Sequence, residues 1–313
     1  MSETRCVSFP NQDGHLLHGI LHEPDHATAR GVCVLLLSPG IKGRVGPHRL
    51  YLKISARLVL LGFHVLRFDY YGLGDSEGEL SERALADMYN SIQAGRYVDD
   101  TVAAMDWMQE TLGIRRFVGS GLCGGSISAL VTAEIDTRIE CLLGMGLPTA
   151  LEGGPENWAR ILTKHQIVSL RGKYFGKLTD PKSLMRFLSG KSSYQVIWRI
   201  IKQWFSDRKA TRDAPPQPAK SDIDRTNPRF ASAFMAMLES ARPMILFFAG
   251  ADRLRYQFSE NFEGHHEARI RDYKHLYEVH LIPDANHVFS DPDWVAELLR
   301  VAERWLITRY PAQ

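Results

Sequence analysis

The chain has 313 residues, 44% of them hydrophobic and 24% charged, which is an ordinary globular balance with enough apolar surface for one large core and an insertion. Its formal net charge of +2 at pH 7 gives no electrostatic case for nucleic acid or for a membrane surface, and no apolar run approaches the ~18–20 residues of an integral membrane segment. Four cysteines stand at 6, 33, 123 and 141 without short paired spacing. Cys33 and Cys141 lie in apolar runs, as reduced core residues do, so a reducing compartment and a cytoplasmic location are expected. The first residues, MSETRCVSFPNQDGH, have no apolar signal region.

In chain order, Thr4–Phe9 and Leu16–His22 read as a hairpin about the turn signal Asn11-Gln12-Asp13-Gly14. Pro24–Gly31 is a polar loop. Val32–Leu37 is a continuous apolar run, as a strand buried on both faces requires, and it ends at Ser38-Pro39-Gly40. Leu50–Leu61 has helical spacing and Phe63–Phe68 is another buried strand, followed by the glycine-rich loop at 69–78. Tyr97–Leu112 is helical, Phe117–Gly119 begins a strand, a helix follows from Ser126, and Ile139–Met145 is a strand. From Pro148 to Ala241 tryptophans, basic residues and the loop DAPPQP replace that pattern, with helices expected over Arg160–Leu170, Lys182–Leu188, Tyr194–Phe205 and Arg229–Glu239. The sheet pattern resumes at Pro243–Ala249. A helical stretch around Glu267–His275, a strand at Tyr277–Ile282 and an amphipathic helix over Trp294–Ile307 close the chain. Alternating strands and helices predict an α/β fold, with a mostly parallel sheet of about eight strands flanked by helices. The expected parts are core at 1–147, a helical lid at 148–241 and core again at 242–313, with ligands at the carboxyl ends of the strands.

The chemistry concentrates at Gly121-Leu122-Cys123-Gly124-Gly125. A strand, a sharp G-x-C-x-G turn and a helix form the nucleophile-elbow pattern with cysteine in the usual serine place. Gly121 and Gly125 supply the room that crossing strand and helix need. The Gly124 N–H can point at an oxyanion, and the helix N-terminus favours an anion at Cys123. A structural cysteine in a glycine-rich turn is the plain alternative; a phosphate loop is excluded by the missing G-x-x-x-x-G-K-[ST]. An acid just past a strand, Asp252, and a histidine past the last strand, His287, complete the order nucleophile–acid–histidine of the α/β-hydrolase fold. In that scheme Cys123 attacks an acyl carbon, His287 moves the proton, and Asp252 holds the imidazole. Asp284 and Asp291 are rival acids, but neither directly follows a buried strand.

The second oxyanion donor is expected from the Ile41 N–H, in the loop after Leu37. Arg44, His48 and Arg49 cluster beyond it, as candidates for substrate contact or for ordering that loop. Asp69 and Asp75 read as structural caps. His265-His266 between Glu263 and Glu267 does not make a metal site, because adjacent side chains diverge on a helix. No metal and no cofactor is expected.

These motifs resemble the α/β-hydrolase superfamily near its serine aminopeptidase-like branch, and more narrowly the exosortase A system-associated hydrolases of bacteria. The resemblance is carried by RVGPHR at 44–49, LRFDYYGLGDSEG at 66–78, GLC at 121–123, Phe247 to Asp252, and NHVFS at 286–290 followed by Trp294. It implies the triad Cys123, Asp252 and His287 and a setting in exopolysaccharide or envelope biosynthesis. One departure is Gly124, where that narrower group usually carries an aspartate. The expected activity is hydrolysis of an ester, thioester or lactone on a small-molecule or carrier-bound acyl substrate. The alternatives are an acyltransferase or cyclase using an amine or alcohol, and a non-catalytic scaffold; a homodimer is left open.

Overall fold

A computed structural model of the protein describes residues 2–80, 85–151 and 226–312. The strands are β1 (Glu3–Pro10), β2 (Leu16–Glu23), β3 (Cys33–Leu37), β4 (His64–Phe68), β5 (Phe117–Leu122), β6 (Ile139–Met145), β7 (Met244–Ala249) and β8 (Tyr277–Ile282). They form one sheet in the order β1-β2-β4-β3-β5-β6-β7-β8. β1 pairs antiparallel with β2 and β2 with β4, whereas every pairing from β4 to β8 is parallel. Pro10, which cannot donate to a ladder, sits at the end of the edge strand β1.

The central strands CVLLL, FVGSGL and MILFFA are buried throughout because helices cover both sheet faces. Their side chains alternate between two cores, as the two-residue pleat demands. Cys33, Leu35, Leu37, Leu246 and Phe248 enter the larger core. Val34, Leu36, Ile245 and Phe247 enter the other. The second core is closed by α1 (Leu50–Leu60) and the terminal α8 (Pro292–Arg309), whose Leu298, Ala302 and Leu306 form one apolar stripe. The first is closed by α2 (Leu85–Ala94), α3 (Val98–Leu112), α4 (Gly124–Ile135) and α5 (Pro228–Glu239). α4 is buried almost all round, since it lies between the sheet and its neighbouring helices. Each fully buried Leu, Val or Phe of these faces contributes about 1.5–3 kcal/mol.

Two differences from the sequence-based expectation concern the site. α2 falls between residues 79 and 96, where no helix is expected. The expected lid range of 148–241 is also corrected at its C-terminal end. α5 is a core helix, with Phe230, Ala233, Phe234, Met237 and Leu238 fully buried at the i, i+3, i+4, i+7, i+8 spacing of a core stripe. Asn227 caps it by accepting from Arg229 N at 3.0 Å, and the core has resumed there rather than at 242. The helices expected at Arg160–Leu170, Lys182–Leu188 and Tyr194–Phe205 lie outside the described residues. Past β7 the chain forms α6 (Leu254–Gln257), a π-helical turn over Phe258–Glu263 and α7 (Gly264–Ile270), so helix begins earlier than Glu267.

Candidate active site

β5 delivers Cys123 to the carboxyl end of the sheet and α4 starts at the next residue. Cys123 has φ 53° and ψ −111°, a region that costs an L-residue of order 1–3 kcal/mol and persists only where surroundings fix it. Here Cys123 N donates to Met145 O at 2.8 Å, and Cys123 O accepts from Ile127 N at 3.1 Å. Behind the turn the buried Tyr51 hydroxyl donates to Leu37 O and accepts from Leu122 N, both at 2.7 Å. It thereby ties β3 to β5 one residue before the cysteine. The elbow glycines are required by close approach: a Cβ on Gly121 would fall 2.5 Å from the Gly125 carbonyl carbon, and one on Gly125 would fall 2.1 Å from Leu37 O.

Asp252 follows β7 and is fixed by its N–H to Ala249 O at 3.0 Å. Its Oδ2 meets Nδ1 of His287 at 2.5 Å. The Asp252 side chain is 9% exposed and that of His287 37%, so the pair is shielded on the acid's side and open on the imidazole's. His287 sits in the loop between β8 and α8, where Asn286 Nδ2 donates to Ser290 Oγ at 2.7 Å. With Nδ1 on Asp252, Nε2 is the ring nitrogen left to face Cys123, which lines the same cavity. Burial pulls the imidazole's pKa down, but the hydrogen bonds to Asp252 and Cys123 and the charges of those groups outweigh it and raise it to about 10. An imidazolium is therefore the favoured form at neutral pH. Of the rival acids, Asp284 is exposed and Asp291 caps α8, accepting from Asp293 N at 2.9 Å.

The loop after β3 runs against the first residue of α4. A Cβ on Gly124 would lie 2.9 Å from Gly40 Cα and 3.0 Å from Gly40 N. Pro39 has no N–H and Gly40 N donates to Ser38 O at 2.7 Å, so the next free donor of the loop is Ile41. Among the described residues neither Ile41 N nor Gly124 N meets a backbone acceptor. Arg44 orders the loop: its N–H donates to Asp69 Oδ1 at 2.6 Å, and its guanidinium bonds Asp69 Oδ2 and, at 2.5 Å, Asp75 Oδ2. Asp69 and Asp75 are accordingly structural anchors. His48 and Arg49 are exposed and none of the three lines the cavity beside Cys123. His265 Nδ1 donates to Asn261 O at 2.8 Å, and the His266 ring stands 5.0 Å from the Phe262 ring. Among the described residues no three His, Cys, Asp or Glu side chains converge as a metal requires.

That cavity is lined by Cys123, Gly124, Asp252 and His287 at its reactive end. Ile92, Pro148, Ala150 and Leu254 form its apolar wall, and Tyr89, Gln93, Arg253 and Gln257 add polar groups. Sequence reasoning misses Tyr89, Ile92 and Gln93 together because it misses α2. The signal is the i, i+3, i+4, i+7 set Leu85, Met88, Tyr89 and Ile92. Tyr51 and Gln257 carry no local signal at all.

The profile of the Alpha/beta hydrolase family matches residues 33–298. Over 97 residues the chain is 31% identical to "Putative hydrolase YtaP" of Bacillus subtilis (strain 168), a match to 29% of this chain and 32% of that protein's length. The fold is shared with an esterase, Pf2001 of Pyrococcus furiosus, at TM-score 0.58 and 16% identity, covering 98% of this chain and 93% of that one. It is also shared with XC6422 of Xanthomonas campestris, described as an a/b serine hydrolase without lid, at TM-score 0.52 and 12% identity over 99% and 97% of the two chains.

Proposed function

This chain belongs to the alpha/beta hydrolase family, and from that premise we propose that it hydrolyses an ester, thioester or lactone through a covalent acyl intermediate on Cys123. The reading is carried by the Asp252–His287 hydrogen bond of 2.5 Å beside a cysteine held at φ 53°. Its solved neighbours include a protein described as a serine hydrolase, but the elbow of this chain holds a cysteine. Ser120, Ser126 and Ser128 are buried off the elbow, and among the described residues no serine lines the cavity in its place. The narrower resemblance to exosortase A system-associated hydrolases belongs to this proposal and supplies its bacterial-envelope setting.

In the proposed reaction the Cys123 proton is held on Nε2 of His287, so the thiolate sulfur bonds to the acyl carbon as the carbonyl π electrons move onto oxygen. That oxyanion takes hydrogen bonds from the N–H groups of Gly124 and Ile41. The imidazolium of His287 gives its Nε2 proton to the departing alkoxide or thiolate as the carbon–heteroatom bond breaks. Water, deprotonated by the now neutral His287, then attacks the thioester. The proton passes through Nε2, sulfur departs, and acid is released with the enzyme restored. Asp252 accepts from Nδ1 throughout and stabilises the imidazolium. Transfer to an amine or alcohol would differ only in which nucleophile attacks second.

Turnover of an aryl ester and its matched thioester by wild type, Cys123→Ala and Cys123→Ser tests this. Expected are loss of activity in the alanine variant and weak residual ester hydrolysis in the serine variant, because His287 can still activate a hydroxyl. Wild-type turnover by Cys123→Ala would overturn the proposal.

A further inference from the structure

We propose that the cavity beside Cys123 selects acyl groups carrying an amide N–H close to the reacting carbonyl, and that Gln93 is the residue that reads it. This rests on the reading of Cys123 as the nucleophile. Gln93 lies in the last turn of α2 and lines the cavity that Cys123 and His287 line. It is only 4% exposed. Its main-chain oxygen accepts from Asn227 Nδ2 at 3.1 Å, which holds the helix end, but its Oε1 is buried and among the described residues has no hydrogen-bond partner. Exchanging the amide's O and N leaves the same deficit, because among the described residues no partner meets either atom.

A buried polar atom left unpaired is destabilising, and native proteins rarely keep one without a use. A methionine would fill the same wall without that cost. Gln93 shares the cavity lining with the apolar Ile92, Pro148 and Leu254, surroundings in which a hydrogen bond is strengthened and its absence is punished. Gln257, at the end of α6, also lines the cavity and is 3% exposed. Gln93 and Gln257, two carboxamide residues with acceptors and donors on the lining of one cavity, complement a peptide-like unit that has both N–H and C=O. A saturated alkanoyl chain would leave the Gln93 amide unpaired. Sites built to bond a donor reject the analogue lacking it far more strongly than an apolar pocket rejects a missing methylene.

Gln93→Met tests the assignment with two aryl esters that differ by one group: N-acetylglycyl, and 4-oxopentanoyl, in which a methylene replaces the N–H. Comparing the ratio of their kcat/KM values between wild type and variant cancels their intrinsic reactivity. The expected result is a fall of about tenfold in the amide-to-methylene ratio in Gln93→Met, and a smaller fall in Gln257→Met. The same ratio in wild type and Gln93→Met overturns the proposal. So does a Gln93-dependent preference confined to a 3-hydroxybutanoyl/butanoyl pair, which would make the ligand a hydroxyacyl group.

A binding arm separates this inference from the nucleophile reading. N-acetylglycinamide and 4-oxopentanamide are titrated into Cys123→Ala and into Cys123→Ala with Gln93→Met. Tighter binding of the N–H ligand that disappears with Gln93→Met supports the proposal even if no ester acylates Cys123. Equal binding in both proteins overturns it. Thermal unfolding supplies the structural control. Because the amide has no partner to lose, Gln93→Met should melt at or above the wild-type temperature, and a clear drop would assign Gln93 a structural role instead.

Discussion

Replacing Gly124 by alanine should separate the nucleophile from oxyanion stabilisation. The added Cβ would lie 2.9 Å from Gly40 Cα, 3.0 Å from Gly40 N and 3.3 Å from Pro39 C. All three are backbone atoms, so no side-chain rotation relieves the contact. Restoring carbon–carbon separations of about 3.5 Å moves the loop by roughly half an ångström. The loop's next residue is Ile41, the proposed second donor, and such a displacement takes its N–H out of the 2.7–3.1 Å range. Removing a whole oxyanion donor costs about 10²–10³ in kcat, so a displaced one should cost about 10–100-fold. Stability should change little, because alanine in a helix is favoured over glycine by about 1 kcal/mol, which offsets part of the contact. The assay pairs kcat on an aryl ester with the rate of iodoacetamide alkylation of Cys123, a displacement that uses the thiolate but no oxyanion hole. kcat should fall while alkylation stays within about threefold of wild type. Unchanged kcat, or alkylation falling in step with kcat, would refute the reasoning.

Three further outcomes are expected. Asp252→Asn should lower kcat/KM by about 10²-fold, less than in a serine triad because a thiol is already partly ionised near neutral pH; steady-state kinetics on the aryl ester checks this. Tyr51→Phe should destabilise the fold by about 1–3 kcal/mol in urea unfolding, since it strands the buried Leu122 N–H and weakens the pairing of Leu37 O. The third concerns pH. His287 is raised from 6.5 to about 10, so the folded state holds the proton more tightly than the unfolded chain between those values. The stabilisation is fully present below pH 6.5 and is lost as pH rises through about 10. Melting temperatures of wild type and His287→Ala should therefore converge across that window, and a gap widening with pH would contradict the assignment.

The sheet is legible in the sequence because β3 and β7 are apolar without interruption, a pattern few other structures produce. The elbow is legible because crowding forbids side chains at Gly121 and Gly125, and Asp252 and His287 because each follows a strand. α5 is misread as part of the insertion. Its stripe of Phe230, Phe234 and Met237 is amphipathic, and periodicity does not say which surface an apolar stripe meets. α2 escapes notice for a related reason: its buried set of Met88, Ile92 and Gln93 is short and follows a long glycine-rich loop. Tyr51 and Gln93 could not be found from sequence. Tyr51 matters because the fold brings it to Leu37 and Leu122, and Gln93 because the fold gives its amide nothing to bond. Arg44 was legible as a loop-ordering residue, and its two carboxylate partners lie in the motif at 66–78 that carries part of the family resemblance.

The central claim is that Cys123 carries the acyl group. Intact-mass analysis after rapid mixing with an activated aryl ester, followed by peptide mapping, tests it most directly. Wild type should gain one acyl mass on the peptide containing Cys123, the adduct should persist longer in Asp252→Asn, and Cys123→Ala should gain none. Ester turnover by a wild-type protein whose Cys123 stays unmodified at every time point, or an equal adduct on Cys123→Ala, would contradict the account.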